Sequence, residues 1–207
     1  DQGNLTGADA DAKQVPVGFV YNATADISNG VRTNRVYAQF NSRAASVDPQ
    51  FRGLTVPNAS GVQVPDTRIG DSVTGINGAD SHTPLIVSTK YRTGGTPIPI
   101  GSYAEAQLII AEAEGGQVAV NIINNLRIAA GLPGNFQSTD AATIANQVIV
   151  ERSRELYLQG TRLYDVRRAS VPLNPAAGAA YLHGGTYGTE VCLPLPDVER
   201  NSNPNIS

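Results

Sequence analysis

With 207 residues the chain has room for one domain with a proper core, or for a core unit with a large appended region. A formal net charge of -3, with 16% charged residues and the only sizeable basic cluster in one short stretch, argues against a phosphate-tracking surface and with it nucleic acid as a partner. No apolar run reaches the length of a membrane-spanning helix, and the single cysteine, Cys192, excludes an intrachain disulfide and a cysteine-based zinc site.

Asp1 opens a sequence without Met and without a basic and apolar leader, so the start reads as internal or processed, with any anchor upstream. From Asp1 to about Gly101, punctuation by Gly, Asn, Ser, Thr and Asp surrounds short β-leaning pieces at Val15 to Tyr21, Val31 to Phe40 and Leu85 to Thr89. Val36 and Phe40 also fit helical spacing, so Val31 to Phe40 is open between strand and helix. Pro49, Pro57, Pro65, Pro84, Pro97 and Pro99 each remove a backbone donor and bias the preceding residue to extended geometry. Long helices are not expected before Gly101.

After Gly101 the pattern becomes helical. Ser102 and Glu105 form a capping box ahead of a helix running to about Glu114, and Gly115 and Gly116 end it. Ala119, Ile122, Ile123, Leu126 and Ala130 give a second helix over about Gln117 to Ala130, stopped by Gly131 and Pro133. So short a connection makes the two an antiparallel pair of tetratricopeptide type, which cannot bury its faces alone. A third and longest helix, capped by Ser138, Thr139 or Asp140, carries Ile144, Val148, Ile149, Leu156 and Leu163 towards Arg168. Gly160 predicts either a kink in it or a close contact. Beyond Pro172 the chain returns to loop, and Pro194, Pro196 and Pro204 predict an extended tail. Two regions follow: 1–100, irregular and facing a ligand or partner, and 101–207, a helical scaffold with its tail.

The third helix interleaves charges: Glu151, Arg152, Arg154, Glu155, Arg162, Asp165 and Arg168. Glu151 with Arg154, Arg162 with Asp165, and Asp165 with Arg168 stand at i, i+3 spacing. A glycosidase would need two carboxylates flanking a cleft, normally from separate elements, whereas Glu151 and Glu155 share one helix. The preferred reading is a structural network using the planar fork of guanidinium.

Lys90-Tyr91, the run Tyr103 to Ala113, Asn124 to Arg127 with Ala130 to Pro133, the charged helix, and Leu193 to Pro196 with Asn203 to Ile206 follow one another in the order of SusD/RagB-family proteins, which this chain resembles. The resemblance covers roughly Lys90 to Ile206, and Val31 to Ile69 only loosely. It implies a mainly α, SusD-like fold: a tetratricopeptide-like helical hairpin and a long third helix, with an irregular loop-rich region containing short strands. It further implies a non-enzymatic lipoprotein on the outer membrane of a Gram-negative bacterium, anchored through a lipidated cysteine upstream of this sequence. Such a protein lids a TonB-dependent, SusC-like barrel and captures oligosaccharides or peptides for uptake. Family members are typically about twice this length, so a fragment or a reduced relative is expected. The competing reading is a structural or self-assembling surface module on the same scaffold.

No catalytic, metal or cofactor set emerges. Asp9 and Asp11 read as solvated loop residues rather than calcium ligands, His82 beside Asp80 and Ser81 is local adjacency rather than a triad, and Gly94-Gly95 and Gly184-Gly185 lack the setting of a phosphate loop. Sugar binding needs aromatic faces and planar polar groups. Of 8 Tyr and 4 Phe, with no Trp, Tyr103, Tyr157 and Tyr164 belong to helical packing or scaffold motifs. Tyr181, His183 and Tyr187, in a Gly-rich loop, are the candidate ligand contacts; cover for the helical core is the alternative.

Overall fold

The structure, a computed structural model, describes residues 3–189, 196 and 201. Regular structure begins earlier than the Gly- and Asp-rich sequence suggests, with α1 at Leu5–Ala12. Asn4 caps it by accepting from the Gly7 N–H, three alanines favour it, and Asp9 pairs with Lys13 one turn on at 2.7 Å. Asp9 and Asp11 are therefore helical residues rather than the solvated loop residues expected. The helix is held by tertiary contact: Ala12 is buried, α1 packs on the later helix α3 (Tyr103–Glu114), and Lys13 also pairs with Glu114.

The strand β1 (Val20–Ala23) follows, and then α2 (Arg35–Asn41), which settles Val31 to Phe40 as helical in its second half. The deciding residue is Asn34, buried, whose side-chain oxygen accepts from the Tyr37 N–H at 3.0 Å while its amide donates to the Thr96 carbonyl at 2.8 Å. A 3-10 turn at Pro49–Phe51 leads into β2 (Thr55–Pro57), β3 (Gln63–Pro65), β4 (Asp71–Asn77), β5 (Pro84–Ser88) and β6 (Ile98–Ser102). These make three separate antiparallel ribbons, β1 with β6, β2 with β3 and β4 with β5. Two-stranded ribbons are marginal alone, so packing must hold them.

The helical stretch starts where the capping pattern places it. Ser102 accepts from the Glu105 N–H at 3.1 Å to open α3, Gly115 at φ +63° turns the chain, and α4 spans Gly116–Ala129. Asp140 caps α5 (Ala141–Glu155) by accepting from the Thr143 N–H at 2.8 Å. The helices α3, α4 and α5 pack on one another around Leu108, Val120, Ile123, Ile144 and Val148, all essentially without solvent exposure. Each such side chain contributes about 1.5–3 kcal/mol on burial. A second cluster, Phe40, Val47, Phe51, Ile69 and Tyr157, closes the ribbons, with the Phe51 and Tyr157 rings 5.0 Å apart.

The long third helix does not run to Arg168. It stops at Glu155, and α6 (Arg162–Arg168) is a separate element after a turn in which Leu158 and Gly160 have φ of +59° and +83°. The cause lies outside the helix. Lys90 donates to the carbonyls of Glu155 (3.3 Å) and Tyr157 (2.7 Å), and the Tyr91 hydroxyl donates to that of Leu158 (3.3 Å). Those carbonyls are satisfied without another helical turn.

The chain forms two units, Asp1–Arg162 and Leu163–Ser207. In the second, Asp165 and Arg168 pair at 3.3 Å along α6. Tyr164 is exposed rather than packed. The tail motifs Leu193 to Leu195 and Asn203 to Ile206 lie outside the described residues, as does Cys192. Among the described residues, no helix is long and apolar enough to cross a membrane.

Candidate functional site

The charged residues of α5 are joined to partners the local spacing does not reveal. Glu151 lies on the same stripe as Ile144 and Val148, and its side chain has no solvent exposure. Arg68, from the loop after β3, donates to Glu151 at 2.7 Å and to Glu155 at 3.4 Å. The same guanidinium forks onto Asp66 at 3.0 and 2.8 Å. Arg127, on the Val120 and Ile123 stripe of α4, donates through Nε to Glu151 at 2.9 Å, and Gln147 donates to that same oxygen at 2.8 Å. Arg154 turns away from Glu151 and donates to Asp66 at 3.2 Å and to the Thr55 carbonyl at 3.1 Å. Three carboxylates thus interlock with three guanidiniums, tying α5 to α4 and to the β2–β3 ribbon. Arg152 is buried on the same helix, and Arg162 donates to the Gln50 side chain at 3.5 Å.

The electrostatics follow from this geometry. Burial raises the carboxyl of Glu151, but Arg68 and Arg127 outweigh it and hold the group below the usual glutamate range. Burial also works against Asp66, and Arg68 again prevails and lowers it. Glu155 is raised, because burial there outweighs its longer contact with Arg68. Burial brings the Lys90 ammonium down from 10.5 to about 8, and pushes the Tyr157 phenol up to about 12, with Asp48 and Asp71 adding to it. Glu151 is enclosed and engaged by Arg68, Arg127 and Gln147, so it is no general acid or base for an incoming substrate. Among the described residues there is no cluster of three metal-ligating side chains.

Tyr181, His183 and Tyr187 come together in the second unit. The Tyr187 N–H donates to the Ala179 carbonyl and the Tyr181 N–H to that of Gly185, making a short hairpin with a bridge between Ala180 and Thr186. Gly184 and Gly185 take φ of +96° and +80° to close it. The Tyr181 ring stands edge-on to His183 at 5.4 Å and to Tyr187 at 5.3 Å. Tyr181 and His183 are exposed and Tyr187 half-buried, so the hairpin presents an aromatic edge to solvent.

The first unit holds several cavities, of which two bear on the site. One, of about 470 Å³, is walled by Phe40, Phe51 and Tyr157. The other, of about 430 Å³, opens between the β1–β6 ribbon, α3 and α4. Sequence reasoning passed over Asp66, Arg68, Lys90 and Arg127 as site-forming groups. Arg127 carried a signal, a charge four residues after Ile123 on an apolar stripe, and Lys90 entered only through the Lys90-Tyr91 motif; Asp66 and Arg68 sit in a loop with no periodicity to mark them.

Two solved structures share the fold. A SusD-like carbohydrate binding protein from Bacteroides vulgatus ATCC 8482 matches at 18% identity with a TM-score of 0.61, over 98% of this chain and 54% of that one. A SusD superfamily protein from Parabacteroides distasonis ATCC 8503 matches at 16% identity with a TM-score of 0.55, over 97% of this chain and 52% of that one. The chain therefore spans about half the length of each. No curated protein matches it. The sequence profile of the SusD family (SusD_RagB) matches residues 87–207, more than half of the sequence, and with the shared fold this shows that the chain belongs to the SusD family.

Proposed function

We propose that this chain is a non-enzymatic binding module of the bacterial cell surface, capturing oligosaccharides or peptides for a TonB-dependent, SusC-like barrel of the outer membrane. Family membership over residues 87–207 supports the reading. The observation that carries it to a ligand is the Tyr181, His183 and Tyr187 hairpin, whose exposed rings are suited to the C–H faces of a sugar or the side chains of a peptide. The α3–α4 pair, as a tetratricopeptide-type unit, and α5 act as scaffold. The network around Arg68 holds that scaffold to the ribbons and performs no chemistry. Residues 1–100 form the ligand- or partner-facing part, a view supported by exposed apolar side chains such as Val17, Ile27, Val31 and Val73. Anchoring is through a lipidated cysteine upstream of this sequence.

The test is calorimetric titration with maltohexaose, cellohexaose, xylohexaose and a mixed peptide digest, followed by mass analysis of the recovered ligand. Saturable binding with ligand recovered intact supports the reading. Shortened ligand would mean a hydrolase, and self-association without ligand binding would favour the structural module.

A further inference from the structure

The cavity of about 430 Å³ has a chemistry distinct from the aromatic hairpin. Its floor is apolar, from Ile122, Leu126 and Ala129 on α4 and Ala104 on α3. Two aromatic residues line it: Phe19, from the turn entering β1, and Tyr103, the first residue of α3. The Tyr103 N–H donates to the Phe19 carbonyl at 2.8 Å, which fixes the two backbones side by side. Tyr103 is thus half-buried at an opening rather than absorbed in helical packing.

The polar part of the lining consists of carboxamides. Gln107 lies one turn after Tyr103 on α3, Asn125 shares the α4 face with Ile122 and Ala129, and Gln159 comes from the turn after α5. The side chains of Gln107 and Asn125 make no hydrogen bond to any described residue, while the side-chain amide of Gln159 makes one long bond, at 3.4 Å to the Glu155 carbonyl. No lysine or arginine lines the space, and its one ionisable carboxylate, Glu155, already faces Arg68. A carboxamide offers donor and acceptor in one plane, the pattern that adjacent hydroxyls of a pyranose complement. An anionic ligand would find no cation here, and a fully apolar one would strand three amides.

We infer that this groove is a second carbohydrate subsite, taking a neutral hexose or pentose unit stacked against Tyr103 and Phe19 and hydrogen-bonded by Gln107, Asn125 and Gln159. The inference rests on the reading that the ligand is a glycan, but not on the role of the Tyr181 hairpin.

The experiment titrates the full chain calorimetrically with maltohexaose, cellohexaose and xylohexaose, and compares the double substitution Gln107→Leu and Asn125→Leu with the wild type. The leucines keep side-chain volume and helix propensity while removing two amides. Loss of two hydrogen bonds, with the apolar contacts retained, weakens that binding event about tenfold. The paired Gln107→Met and Asn125→Ala substitution, which removes the same two amides, serves if the leucine variant does not fold; it also weakens the same event about tenfold. An unchanged isotherm in folded variants overturns the subsite and leaves the hairpin reading intact. Absence of binding by any of the three sugars to the wild type overturns the glycan reading and the subsite together.

Discussion

The helix α5 is held by two kinds of force at its two ends, and the difference shows how a polar, proline-rich region is made to fold. Its first turns present Ile144 and Val148 to α3 and α4, where apolar burial suffices. Its last turns present Glu151, Arg154 and Glu155 to Arg127 of α4 and to Asp66 and Arg68 beside the β2–β3 ribbon, and there the attachment is ionic. A hydrophobic interface tolerates partial loss in proportion to the area removed. A buried ionic one depends on being complete, since each missing partner leaves the others charged and without solvent. The ribbons borrow stability through Asp66, Arg68 and the small cluster around Phe51 and Tyr157.

Breaking the ionic end is expected to have the largest effect. Glu151→Ala leaves Arg68 and Arg127 buried without their shared carboxylate, and should cost about 3–5 kcal/mol in chemical denaturation. In native-state hydrogen exchange, the loss should register in the β2–β3 ribbon as well as in α5. Leu108→Ala tests the apolar end, with an expected loss of about 3 kcal/mol and the ribbons following only through global unfolding. Were the two substitutions to give the same exchange pattern, the distinction between the ends would fail.

A pH series sharpens the comparison at the ionic end, where Lys90 takes the last carbonyls of α5. Lys90 releases its proton near pH 8 in the folded chain, below its ordinary value of 10.5. Between those values the unfolded chain binds more protons, so this residue's contribution makes stability rise as pH increases from about 8. Tyr157 acts in the opposite sense from pH 10 upward, because its folded phenol keeps its proton to about 12 while the unfolded chain loses it. The difference in unfolding free energy between wild type and Lys90→Met should therefore shift in favour of the wild type between pH 7 and 10. A difference independent of pH would contradict the buried clamp. The smallest stability effect belongs to Asp140→Ala, which removes the cap of α5 and should cost about 1 kcal/mol in the same denaturation assay.

Legibility in the sequence followed the same division. The helices α3, α4 and α5 were readable at their starts, because Ser102 and Asp140 are capping residues and apolar periodicity runs unbroken behind them. The end of α5 was not, since the groups that take its last carbonyls, Lys90 and Tyr91, stand more than sixty residues away. The helices α1 and α2 are only 8 and 7 residues long and show little apolar stripe, so tertiary contact rather than pattern decides them. The charged run on α5 was visible, but Glu151 meets Arg68 across 83 residues, and spacing along one helix cannot reveal such a partner. Around Tyr181 the Gly-rich setting pointed to a turn, and the three rings do converge there.

The central claim, that the aromatic hairpin captures ligand while the ionic network only supports the fold, is tested most directly by calorimetric titration of a Tyr181→Ala and Tyr187→Ala double variant. The oligosaccharide used is the one the wild type binds best. The account predicts an unchanged melting temperature and loss of about tenfold or more in affinity for one binding event, from two missing ring contacts. Undiminished binding by a folded double variant would contradict it.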